Sequence, residues 1–336
     1  MLVAIVALLV AGTGMVLIPR DSGTPPAPSS SETARMTALE DTLRLGDAAA
    51  ALMEASAPNA GNESLNDTVT LLTTHARALL DPAGSLSFPP SSSPSDSSRA
   101  AFISGLSESG QKRLEDARDA DGGIARLLAA VGSAQLLRAE KLAAAWQLPT
   151  PHQSPSSDNN IPAATPSAAP CPSVSPTPDP GSATTDAALA AAVRSHQKAV
   201  YAYQVALKRL DAAAAAVAAK DLKMHELLLQ QAEALTRANC ADVPTSEAGY
   251  RLPGQFAQDP AGSLGALEAS SLPVLGDLVA LSTGQSREWA VDGLLAAARR
   301  SLAWGSSLPA LPGLELDAGN LPSLPTPSDS AASSGR

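Results

Sequence analysis

Apolar residues recur along most of this chain at spacings of three and four, the signature of one-sided helices, and rarely in the alternation of a strand. Met36, Leu39, Leu43, Ala50 and Met53 fall on one helical face, and Leu65, Val69, Leu72, Ala76 and Leu79 on another. The pattern predicts helices near 34–56, 65–80, 98–118 and 123–146. Pro82, Pro89, Pro90 and Pro94 separate the second from the third, because proline lacks the N–H and clashes with the preceding turn.

The pattern is strongest after residue 184. Leu189, Val193, His196, Val200, Tyr203, Leu207, Leu210, Ala214 and Val217 alternate steps of four and three, a sustained packing seam. Leu222, His225, Leu229, Ala232 and Leu235 continue it towards Asn239. One helix over 186–239 would be about 80 Å long, too long for a compact body, so a reversal is expected near Ala219 to Asp221. A loop with Pro244, Gly249, Pro253, Gly254 and Pro260 follows. A third helix is expected after Ser263, with Leu264, Leu267, Leu275, Leu278 and Leu281 inward and Pro273 as a kink. Gly284 would end it. A fourth helix, capped by Ser286, would run to about Trp304 with Val291, Leu294, Leu295, Ala298 and Leu302 inward. Thr184, Thr185 or Asp186 can cap the first. Four helices with one long connection make a crossover bundle.

The expected organisation is therefore a transmembrane or signal-anchor helix over 1–19, a spacer over 20–33, and a helical region of unknown type over 34–147. A Pro/Ser/Thr-rich linker over 148–183, a four-helix bundle over 184–305 and a disordered tail over 306–336 complete it. Aromatic residues make up only 3% of the chain and Ala and Leu dominate its apolar fraction, which favours an all-α fold. The net charge is −10, without a basic stripe to neutralise phosphates, so nucleic acid is not an expected partner. Leu2 to Ile18 carry no charge and span roughly 26 Å as a helix. No basic start or small-residue cleavage site marks a removed signal peptide, and a retained single span fits better. Arg20 after the run would place the bulk inside by charge. The long Pro/Ser segments argue instead for an exported chain, and a basic leader would then lie upstream of Met1.

Ala199-Val200-Tyr201-Ala202-Tyr203, His225, Tyr250-Arg251-Leu252-Pro253, Leu267-Glu268, Arg287 and the closing Arg299-Arg300 to Trp304 carry a likeness. Over residues 184–305 the chain resembles an actinobacterial ferritin-like family, a domain of unknown function (DUF 4439). The resemblance implies a ferritin-like four-helix bundle in exported or envelope proteins, and no activity.

A two-iron bundle site needs Glu-x-x-His on two helices. Val193 and Leu222 stand three residues before His196 and His225, so that set is lacking, and Glu226, Glu233, Glu268 and Glu288 do not make it up. His196, His225 and Glu268 are the weaker candidates for a single metal; a hydrogen-bonded core role is the plainer reading of two seam histidines. Tyr201 and Tyr203 point to different sides, one into the seam and one to a rim, where a small-ligand pocket is the alternative. Glu268 is expected to pair with an arginine such as Arg300. Cys171 and Cys240 fit no zinc spacing; they are a disulfide in an oxidising compartment, or two free thiols. No nucleophile elbow or phosphate-cradling glycine loop occurs. The expectation is a membrane-anchored, extracytoplasmic, non-enzymatic binding or scaffold module without cofactor, whose partner is an envelope protein or cell-wall component. The alternative is a degenerate bundle holding a single metal ion or small ligand.

Overall fold

The computed structural model describes residues 27–55, 60–80, 98–150, 171, 183–307 and 309–324. Among them are eight α-helices and no strand. They are α1 (Ser30–Ala55), α2 (Ala60–Leu79), α3 (Arg99–Asp119), α4 (Gly122–Ala145), α5 (Thr185–Ala206), α6 (Ala212–Ala238), α7 (Pro260–Leu281) and α8 (Gly284–Ala303). Short 3-10 turns cover Gly254–Ala257 and Ala318–Asn320. The apolar run 2–18 lies outside the described residues, as do most of 148–183 and everything after 324.

Side-chain oxygens set the helix starts. Ser98 accepts from the Ala101 N–H, Thr184 from Ala187, Asp211 from Ala214 and Asp259 from Gly262, each at 2.9–3.1 Å. These caps satisfy N–H groups that the helix itself leaves without acceptors. Two of them correct expected boundaries, and a third boundary also moves. The reversal falls at residues 207–211, not near Ala219 to Asp221, because Asp211 caps α6 while the alanine run behind it has no reason to break. The third helix begins at Pro260 on its Asp259 cap, ahead of the start expected after Ser263. Thr283, not Ser286, occupies the N-cap position of α8, and Gly284 takes the left-handed φ of +54°. Ser286 is buried and accepts from Asn239 Nδ2 at 3.0 Å.

The first four helices bury Leu65, Leu72, Ile103, Leu106, Leu128 and Leu142 almost completely. Where α3 crosses α4, a Cβ on Gly110 would meet the Gly132 carbonyl oxygen at 2.9 Å, and one on Gly132 would meet Gly110 O at 2.7 Å. The two backbones touch, and only glycine fits on either side.

The expected separate helical region is not separate. One core cluster runs from Leu39, Leu79 and Leu128 through Leu189, Leu278 and Leu294. Arg287 on α8 donates to the Ala120 carbonyl, Arg118 pairs with Asp292 at 3.0 Å, and Arg299 pairs with Glu140 at 2.6 Å. Gly122 lies so close to the Ala280 carbonyl that a Cβ would stand 2.2 Å from it. The linker divides the sequence without dividing the packing. Helices made of small residues approach closely, and each half buries an apolar face that neither could cover alone.

The expected disordered tail is likewise corrected over 309–324. Proline cannot donate a backbone hydrogen bond, but the carbonyls of this segment still accept. Ala310 O meets His75 Nε2 at 2.8 Å, Gly313 O accepts from Arg126 Nε at 2.8 Å, and Pro322 O accepts from Arg77 Nε at 2.9 Å. Leu311 is buried beneath. The segment straps the C-terminal half to α2 and α4.

One described helix, α7, is long and apolar enough to cross a membrane. Here it is a core helix, burying Leu264, Leu272, Leu275 and Leu278, with Glu268 at its middle.

Candidate functional site

Every helix of the C-terminal half sends a polar side chain into one buried cluster. His196 and Tyr203 come from α5, seven residues and hence two turns apart on one face. His225 comes from α6, Glu268 from α7 and Arg300 from α8. Glu268 is 1% exposed and sits at the centre. Its Oε1 accepts from Tyr203 OH at 2.8 Å and contacts His225 Nε2 at 2.6 Å, while Arg300 Nε donates to Oε2 at 3.0 Å. On the far side of the His225 ring, Nδ1 faces His196 Nδ1 at 3.2 Å.

Two tryptophans close the ends of this row. The His196 ring meets Trp289 edge-on at 5.7 Å between centroids, and Tyr203 meets Trp304 at 6.1 Å. Each indole N–H is itself satisfied, Trp289 by Gln231 at 3.0 Å and Trp304 by Asp221 at 2.8 Å.

The electrostatics follow from burial and this wiring. Burial alone raises Glu268. The His225 hydrogen bond, the Arg300 charge and the Tyr203 hydroxyl outweigh it and hold the carboxyl at about 2. Burial, reinforced by His225 and Arg300, lowers His196 to about 3, so this imidazole is neutral at pH 7. Burial and the adjacent carboxylate push the Tyr203 phenol far above its ordinary range. Burial also raises Asp221. The cluster therefore contains a firm Glu268–Arg300 anion–cation pair with the neutral Tyr203 hydroxyl and the neutral His196 ring beside it.

Residues 188–316 match the family model described as Domain of unknown function (DUF4439). The matched region takes in the whole cluster and continues past α8 into the strap, covering the Ala310 and Gly313 contacts. No curated protein and no solved structure matches the chain.

Within the DUF4439 region the three residues singled out as weak metal candidates do come together, and Glu268 does pair with Arg300. Their donor atoms are strung in a line and bonded to one another. Among the described residues no group of three or more His, Cys, Asp or Glu side chains is arranged to hold a metal. Tyr203 is the tyrosine in the seam, fully buried; Tyr201 lies at the rim, its ring 5.8 Å from that of Tyr250. Cys171 and Cys240 form a disulfide, with Cα atoms 5.6 Å apart. Sequence reasoning missed the Asp221–Trp304 and Gln231–Trp289 bonds. The available signal was the four-residue step from Asp221 to His225 and from Arg300 to Trp304, which puts each pair on one face.

Proposed function

We propose that the chain is a membrane-anchored, extracytoplasmic scaffold or binding module of the cell envelope, ferritin-like in its C-terminal half and without catalysis of its own. The disulfide carries this reading, because structural disulfides persist in oxidising compartments and are rare in the cytosol. The polar cluster supports it: the side chains that could do chemistry are spent on one another in a closed core. Residues 2–18 supply the anchor and the envelope supplies the partner, a protein or a wall polymer.

The test is fractionation of the expressed full chain. The expected result is a membrane-bound protein, cleaved by protease added outside the cell, with Cys171 and Cys240 alkylated only after reduction. Recovery in the cytosol with both thiols free would sink the reading.

The facing Nδ1 atoms of His196 and His225 favour a second reading. Two imidazole nitrogens at that separation are spaced like neighbouring ligands of one small metal ion. Glu268, on the opposite nitrogen of His225, would hold that ring as a supporting partner. Native mass spectrometry with metal analysis separates the two readings. A bare mass is expected of the scaffold, and a stoichiometric metal lost in His225→Ala with helicity intact would establish the second reading.

A further inference from the structure

Every described arginine except three is engaged. Most meet carboxylates, Arg77 and Arg287 meet carbonyls, and Arg99 lies over the Trp146 ring. The three without a partner among the described residues are Arg194, Arg209 and Arg251, all exposed. Arg194 stands on α5, Arg209 on the turn that follows it, and Arg251 in the loop folded over it. Lys198 and Lys208 join them. Positions 194, 198, 201, 205 and 208 step by four and three, so Arg194, Lys198, Tyr201, Val205 and Lys208 form one outward stripe. No acidic residue stands on α5 after Asp186 in its first turn. Tyr250 brings Arg251 to this stripe by packing its ring at a tilt of 57° against Tyr201 and donating to Gln197 Oε1 at 3.1 Å. A shallow open depression beside it is lined by Tyr201, Gln204, Val205, Lys208 and Arg209.

The expectation of no basic stripe is thereby corrected, because helical spacing gathers on one face cations that are dispersed in the linear sequence; Glu247, whose N–H donates to Tyr250 OH at 3.2 Å, stands in the same loop, and the five basic residues outnumber it. We propose that the α5 face docks on an anionic phospholipid surface, with the depression taking phosphate headgroups and Tyr201 and Tyr250 lying at headgroup depth. The stripe carries a half-buried aromatic pair among its cations, a combination that suits the headgroup zone of a bilayer. Each basic side chain near such a surface adds about fivefold to affinity.

The tether favours the same occupant and rests on the anchoring reading above. Residues 19–29 between the apolar run and α1 reach at most about 40 Å. The start of α1 lies at the same end of the body as the start of α5. Ser31 accepts from Asp121 N there, Gly122 abuts Ala280, and the Thr185 hydroxyl donates to Leu281 O. A short tether holds the stripe at high local concentration over the bilayer.

The experiment is amine footprinting of the full chain in nanodiscs of phosphatidylcholine, with or without phosphatidylglycerol. Lys112 and Lys141 serve as internal references. In low salt, Lys198 and Lys208 are expected to label at least fivefold more slowly on the anionic bilayer only. High salt, or the triple change Arg194→Gln, Arg209→Gln and Arg251→Gln, is expected to reverse the protection. Equal labelling on both bilayers would overturn the proposal. So would protection by polyglutamate with none by lipid, which would assign the face to an acidic protein. A chain that enters neither disc refutes the anchor instead. Flotation with free vesicles then decides the face by itself: floating with anionic vesicles alone supports it, and floating with neither overturns it.

Discussion

Glu268 is the residue on which the core electrostatics turn, and its removal should be costly for a definite reason. Glu268→Gln leaves the Arg300 guanidinium buried against a neutral amide and leaves His225 and Tyr203 a poorer acceptor. Breaking one side of a buried pair costs about 3–5 kcal/mol. We expect a loss of that order by denaturant titration, whereas replacing Glu268 and Arg300 together by Met should cost much less. Equal losses would show that the ion pair is not what the site depends on. The histidines set the acid limb. His75 is held at about 4 and His196 at about 3, in both cases mainly by burial, against 6.5 when unfolded. A depressed folded value means that the unfolded chain binds the extra proton. The stability is complete above pH 6.5 and falls as pH drops towards 4 and then 3. The loss is about 1.4 kcal/mol per pH unit for each histidine. Glu268 adds its own loss below its unfolded value of about 4.5, running down to about 2. His75→Gln should flatten the stability curve between pH 6 and 4, which melting temperatures across that range will read; an unchanged slope would refute the assignment. The identities His196, His225 and Glu268 were legible because few polar residues stand on an apolar seam. Their bonding order was not, since it depends on how three helices rotate against one another.

At the scale of elements, periodicity located every described helix, but caps placed their ends. The Asp211 cap was hidden because the seam residues on either side continue in phase through Leu207, Leu210 and Ala214. Phase alone cannot distinguish a turn of five residues from another stretch of helix. Asp211→Ala should destabilise the protein by about 1 kcal/mol through the freed Ala214 N–H, while Asp211→Asn should be nearly silent. Equal losses from both would mean that the carboxylate acts through charge rather than as a cap. The α3–α4 crossing is the stricter test. Gly132→Ala brings a methyl group to within 3 Å of backbone that cannot retreat, and overpacking of this kind costs about 1–3 kcal/mol. Gly123→Ala on the same helix meets nothing within 4 Å and should be neutral or slightly stabilising. Thermal melts of the two variants should therefore move apart. Nothing in the sequence distinguished these two glycines, because a close approach belongs to the partner helix as much as to the residue.

For the whole molecule, the decisive fact is that two stretches separated by a proline-rich segment share one core. Composition marks where a chain can be unfolded locally; it does not report whether what lies on either side is self-sufficient. Four devices hold the halves together: the joint apolar cluster, the ion pairs Arg118–Asp292 and Arg299–Glu140, Arg287 reaching across to the Ala120 carbonyl from beside Val279, and the strap fastened to His75, Arg77 and Arg126. The disulfide acts within the second half of the sequence, fixing Cys171 to the end of α6. The sequence separation of 69 residues gives about 4 kcal/mol in the chain-entropy account. If the halves are thermodynamically one unit, the full chain unfolds in a single cooperative transition, and a lesion in either half lowers the stability of both. Arg287→Leu supplies that lesion. It removes the cross-half hydrogen bond and leaves the Ala120 and Val279 carbonyls short of a donor, while touching neither the Glu268 cluster nor the α3–α4 crossing. Hydrogen exchange followed residue by residue should show the slowest amides of α4 and those of α7 losing protection by the same factor. If only α7 and α8 lost protection, the two halves would be separate units in contact, and the shared core would be an interface rather than a single fold.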